Sequence, residues 1–220
     1  MSIALKIAEL RTSLPKQVEL VAVSKTRSDQ EILEAFEAGQ LDFGENYVQE
    51  LVGKQERLPK EIRWHFIGHL QSNKVKMIAP FVHLVHGVDT LKLAAELDRQ
   101  AARSNRVISF LFQIHIASEE TKFGLSFDEC ENILRPGGLE KMKNVSLKGL
   151  MGMASNTSDM QRVKDEFTSL KNFHEKMEKE YGSLPVLSMG MSEDYRIAID
   201  AGSNMVRIGS AIFGPRNYNH

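Results

Sequence analysis

Cysteine is all but missing from this chain: Cys130, within SFDECENIL, is the only one in 220 residues. A lone thiol closes no internal disulfide and completes no paired-cysteine metal site. With nothing electropositive around it, Cys130 reads as a passive helix residue. Excess charge of either sign is missing too. Lys and Arg number 28 against 29 Asp and Glu, which excludes the basic excess of a general nucleic-acid binder but leaves room for a local cationic pocket. No apolar run approaches membrane-spanning length. The opening MSIALKIAELRTSL has no long apolar core of the signal-peptide kind; Ile3, Ile7, Leu10 and Leu14 follow the rhythm of an amphipathic helix instead. No low-complexity linker or composition break divides the chain. These absences predict a cytoplasmic protein made of one domain over 1–220, with no nucleic-acid or membrane partner. It is expected to be monomeric, since no coiled-coil seam or exposed apolar stripe stands out.

What is present is a repeat of apolar, β-branched runs, each followed by a helix-like stretch. Strand candidates cover 18–23, 41–44, 63–67, 82–88, 107–116, 145–151, 186–189 and 205–208. Between them lie amphipathic segments. Ile32, Leu33 and Phe36 share one helix face that Gly39 ends as a C′ residue, and Val163, Phe167, Leu170, His174 and Met177 mark a longer one. Strands that alternate with helices imply a parallel sheet, because parallel neighbours need crossovers. The expected fold class is therefore α/β, a single (β/α)8 TIM barrel with the helix around Ile3 to Leu14 as an extra N-terminal element. Eight units match barrel closure without remainder; an open doubly wound sheet is the alternative.

In such a barrel function belongs at the carboxyl ends of the strands. Those ends are polar here, and Lys25 in SKT comes first, after the run VELVAVS. One reading is a lysine whose stem covers the rim while its ammonium stays wet. The other is an amine partly stripped of water, with its pKa lowered by desolvation and nucleophilic toward an aldehyde. The last two strands end in SMGMSEDY and RIGSAIFG. Phosphate sites in this fold are often built there, and both loops offer glycine for close approach and serine hydroxyls. Ser192 is expected to cap a helix over 193–201 and aim its amides at an anion. Arg207, inside the eighth strand, is too costly to bury alone. It needs a carboxylate such as Asp194 or Asp200, or an acceptor on a ligand such as a pyridine nitrogen, which it would keep unprotonated.

The motifs LVAVSKT, FGENYVQE, WHFIGHLQSNK, GLMGM, LSMGMSEDY and VRIGSAIFG, in that order, resemble the pyridoxal 5′-phosphate (PLP) homeostasis protein family over nearly the whole chain. The resemblance implies a fold like the N-terminal barrel of bacterial alanine racemase, with PLP as cofactor, linked to Lys25 as a Schiff base. It implies Arg207 at the pyridine nitrogen and the phosphate held by Ser188, Met189, Gly190 and Ser192 together with Gly209 and Ser210. Asn46 and His65 would line the ring side. It implies a role in intracellular PLP homeostasis without established turnover, with small-molecule PLP and transient PLP-accepting apo-enzymes as partners.

One position departs from the family pattern: His115 stands in QIHIASEETKFG where asparagine is usual, and it either approaches the cofactor or packs as a bystander. Lys122 and Gly124 match a family K-x-G whose role is ligand contact or loop structure. Two alternatives remain open on the residues. A PLP-dependent racemase needs acid/base groups on both faces of its substrate, and Tyr218, the tyrosine of the tail, is a poorly positioned candidate. An aldolase for a phosphorylated sugar would use the same lysine and loops. His69, His83 and His86 have no acid-rich surroundings in sequence, so no metal site is expected.

Overall fold

The computed structural model describes residues 1–119 and 122–215. A helix, α1 (Ile3–Ser13), precedes eight strands: β1 (Glu19–Val23), β2 (Asp42–Glu45), β3 (Arg63–Phe66), β4 (Leu84–Val88), β5 (Ile108–Ile114), β6 (Val145–Gly152), β7 (Val186–Ser188) and β8 (Met205–Ile208). All are parallel and close in sequence order, β8 pairing back onto β1. The fold is the expected TIM barrel with an additional N-terminal helix. The crossovers carry α2 (Asp29–Glu37), α3 (Val48–Arg57), α4 (Val75–Ile78), α5 (Leu91–Arg103), α6 (Phe127–Leu134), α7 (Met160–Tyr181) and α8 (Tyr195–Asp200). The short α9 (Ser210–Phe213) follows β8.

The local chemistry explains the elements. Ser28 and Ser126 each form a reciprocal cap with a glutamate three residues on, which starts α2 and α6. Thr90 and Asp159 cap α5 and α7 with their side chains. Gly39, at φ 88°, ends α2 as expected. Helix α1 is tied to α2 by the backbone amide of Ile3 on Glu34 Oε1 (2.8 Å) and by Arg11 on the Gly39 carbonyl (2.7 Å). The predicted strands all exist, with no end displaced by more than two residues. The largest trimming is at β5: the backbone leaves the sheet after Ile114, and His115 instead takes up a bond between its amide and the Leu125 carbonyl.

Side chains alternate across each strand as the pleat requires. Ala22, Phe43, Phe66, Val85, Phe110, Phe112, Leu150 and Val206 face outward into the layer beneath the helices. Val21, Leu84, Leu111, Met151 and Met205 face inward and form a small apolar plug inside the barrel. The interior is not uniformly apolar: His65, His86, Ser188 and Arg207 are buried there as well. That polar layer matters for the site.

Where β6 meets β7 the chains approach so closely that only glycine fits. Gly149 has φ 151°, and a Cβ on it would lie 1.7 Å from the Val186 carbonyl oxygen. Gly149→Ala should therefore cost more than about 1 kcal/mol in urea denaturation; a variant as stable as the parent would show that this seam is slack.

Candidate functional site

The inward parity of β1 runs from Val21 to Val23 and on to Lys25. Val23 and Lys25 line a cavity of about 460 Å³ at the carboxyl ends of the strands, with Asn46, Ile67, Lys122, Arg207 and residues of the last two loops around it. Lys25 is half-buried and stands on a tight turn. Register places Val21 opposite Arg207 and Ala22 opposite Ile208, so closure of the barrel sets the SKT and RIGS segments side by side.

Of the ten residues expected at the site, Lys25, Asn46, Ser192, Arg207, Gly209 and Ser210 surround this cavity. Ser188, Met189 and Gly190 lie just beneath it, all buried. Gly190, at φ 91°, leaves room for the start of α8: a Cβ there would sit 2.7 Å from the Ala198 Cβ. Ser192 corrects the expectation of a helix cap. The segment 192–194 is a turn and α8 begins at Tyr195, with no side-chain cap. The Ser192 hydroxyl instead accepts the Gly209 amide at 3.2 Å, which stitches the β7 and β8 loops together. The polar groups of the last two loops at the cavity are the Ser192 and Ser210 hydroxyls and the backbone around Gly209, where α9 begins.

Arg207 is 3% exposed. It takes neither of the carboxylate partners that its sequence neighbours offered. One terminal nitrogen donates to the Ser188 carbonyl (2.9 Å) and hydroxyl (2.6 Å), the other to the Gly152 carbonyl (3.1 Å). Burial pulls its pKa down to about 10, with the charge of Asp194 pulling the other way. Five N–H groups make three hydrogen bonds among the described residues, so a buried donor lines the cavity with capacity left.

From Arg207 a chain of hydrogen bonds crosses the barrel interior. Ser188 Oγ lies 3.2 Å from His86 Nδ1, His86 Nε2 lies 2.9 Å from His65 Nδ1, and His65 Nε2 lies 3.0 Å from Asp42 Oδ1. Arg63 binds both Asp42 oxygens. His65 is therefore not on the ring side of the cavity, as expected from sequence. Its ring turns inward and toward the amino ends of the strands because a carboxylate and a second imidazole meet it there. Burial holds the His86 pKa well below its ordinary value. The Asp42 carboxyl would be raised by burial, but bonds from His65 and Arg63 outweigh that and hold it down to about 2.

Asp42, His65 and His83 also bring one potential ligand atom each within 4.8 Å of one another, so His83 does have an acid nearby that linear sequence hides. Both Asp42 oxygens are already engaged, and the set reads as an ion-pair and hydrogen-bond cluster. His115 is half-buried, with Nε2 2.9 Å from the Glu119 carbonyl, and does not line the cavity. Lys122 does line it, donating to the Ala154 carbonyl at 2.7 Å and pairing with Glu119. Gly124 has φ 147° and lies against the His115 backbone, a structural role. Tyr218 lies outside the described residues.

Fold and mouth together define a (β/α)8 barrel with its amine just after the first strand and its glycine–serine loops after the last two. The chain belongs to the family of alanine racemase N-terminal domains, whose model matches residues 2–217. It is 40% identical to a curated pyridoxal phosphate homeostasis protein of Vibrio alginolyticus, over 93% of this chain and 89% of that one. Among solved structures it resembles PipY of Synechococcus elongatus with PLP bound, at 33% identity and a TM-score of 0.89, over 97% of this chain and all of that one. It also covers 58% of the alanine racemase of E. faecalis, with a TM-score of 0.76. At 16% identity that likeness is one of fold.

The depressed Asp42 pKa has a stability consequence with a definite sign. Its contribution is fully present above about pH 4 and fades as pH falls toward 2, because the folded state resists protonation. Asp42→Asn should lower the urea midpoint at pH 7, and the two proteins should converge as pH approaches 2. A gap that stayed constant over that range would show that the Asp42 charge does not stabilise the chain.

Proposed function

We propose that this chain binds PLP as a Schiff base on Lys25 and serves intracellular PLP homeostasis, in the cytoplasm, through one barrel domain spanning 1–220, and without catalytic turnover. The observation that carries the reading is the pairing of Lys25 with Arg207 on one cavity: an amine at the end of β1 and a buried guanidinium that makes no ion pair among the described residues. A ligand with an aldehyde, a ring acceptor and a phosphate fits that combination, and the relatives named above support the choice of PLP.

PLP supplies an electrophilic aldehyde on a pyridine ring. This chain supplies the rest. Lys25 Nζ would hold the group by condensing with its aldehyde carbon, the aldehyde oxygen being lost as water. Arg207 donates to the ring nitrogen; because a guanidinium does not give up its proton, the ring stays unprotonated and is a poor electron sink. That suppresses carbanion chemistry at a bound amino acid and suits a holder. The Ser192 and Ser210 hydroxyls and the backbone at Gly209 receive the phosphate, and Asn46 borders the ring. Transient PLP-accepting apo-enzymes are the partners this role calls for, and a monomer leaves the cavity mouth open to them.

Purified protein should absorb near the colour range of a PLP imine, and borohydride should fix PLP to the Lys25 peptide. Colour fixed on another lysine, or a protein that stays colourless with excess PLP, overturns the assignment. Lys25→Ala should abolish the fixed adduct and leave the barrel folded by circular dichroism. Sustained conversion of L-alanine to D-alanine at ordinary enzyme rates would replace the carrier with the racemase.

Arg207→Ala should weaken PLP retention roughly ten- to a hundredfold, the range expected for losing a charged hydrogen-bond donor. An unchanged dissociation constant by equilibrium dialysis would remove Arg207 from the ring contact.

A further inference from the structure

The turn that carries Lys25 is backbone-strained, and an ion cluster outside the barrel wall holds it. The Arg27 amide donates to the Ser24 carbonyl at 3.0 Å, which closes a four-residue turn with Lys25 second and Thr26 third. Thr26 has φ 64°. The third position of such turns favours glycine or asparagine at positive φ, and for a β-branched residue the conformation is an outlier. It persists only where surrounding structure over-determines it.

Here the surroundings do so through one cation. Lys54, on α3, is 2% exposed. Its ammonium donates to the Ser24 carbonyl at 2.7 Å, to Glu45 Oε1 at 2.8 Å and to Glu50 Oε1 at 2.6 Å. That same Glu50 oxygen accepts the Thr26 amide at 2.6 Å, and the same Glu45 oxygen accepts the Ser24 hydroxyl at 2.5 Å. The Ser24 carbonyl belongs to the peptide group before Lys25 and the Thr26 amide to the one after it. Each is gripped by a member of the same cluster.

The cluster is costly for its place. Glu45 is fully buried with Oε2 unpartnered, and burial pushes its carboxyl up to about 7 against the pull of Lys54. Well-packed apolar residues often replace buried ion groups without loss of stability, so core stability alone gives no reason to keep it. We propose that Glu45, Lys54 and Glu50 are positioning residues that clamp both peptide groups of Lys25 and so aim its amine into the cavity. The inference rests on the Schiff-base role of Lys25 given above.

The test is a cycle of Lys54→Met and Thr26→Gly, read by the rate at which PLP is captured at Lys25 and by amide exchange at Thr26 in ligand-free protein. Lys54→Met should slow capture at least tenfold and expose the Thr26 amide to exchange. Thr26→Gly, which adopts positive φ without help, should capture at near the parent rate. In the double variant it should recover most of the loss, which a purely structural role for Lys54 does not predict. Should Lys54→Met fail to fold, Glu50→Gln gives a milder version of both readouts. Capture at the parent rate in Lys54→Met, or no rescue by Thr26→Gly, overturns the positioning role. If the parent protein never attaches PLP to Lys25, the Schiff-base reading fails by itself. Unchanged Thr26 protection in Lys54→Met defeats the clamp whatever the ligand does.

Discussion

Everything at the mouth depends on the pairing of β8 with β1. These strands lie at opposite ends of the chain, yet Leu20 to Ala22 pair with Val206 to Ile208. Parallel strands cannot be joined by a hairpin, and here the connection between the two paired strands is all the intervening units of the barrel. The loops after β1 and β8 then become neighbours. Lys25, Arg207 and Gly209 thus belong to one cavity by virtue of closure, and no shorter part of the barrel assembles them.

The interior shows how the barrel tolerates a buried guanidinium. Apolar side chains fill one level, and a polar file from Arg207 through Ser188, His86 and His65 to Asp42 fills another. With one proton on each ring, a single direction satisfies every contact. His65 gives its Nε2 proton to the ionised Asp42 and accepts from His86 Nε2. His86 then has only Nδ1 with which to accept the Ser188 hydroxyl, which itself accepts from Arg207. Each group leaves the next only one role, and that fits the low tolerance of protein interiors for unmatched donors and acceptors.

The architecture was readable from the order of residues because β-branched runs and amphipathic faces repeat at regular intervals. All eight strands and the N-terminal helix stand where their patterns put them. Lys25 and the two glycine–serine loops were readable for the same reason, as polar endings to apolar strands. His65 was not: the resemblance placed it at the ring, but inside a barrel the direction a ring leans is decided by partners on other strands. Ser192 misled because a serine before acidic residues looks like a cap, whereas the helix starts three residues later. The Lys54 cluster left least trace. A lysine on an amphipathic helix reads as solvated, and nothing in the order of residues around Lys54 marks it as buried.

Cys130 is fully buried on α6, and burial pushes its thiol up to about 12. A thiol that does not ionise near neutrality is a poor nucleophile. A barrel that keeps a reactive carbonyl compound at its mouth therefore offers it no ionised thiol among the described residues on which to stray.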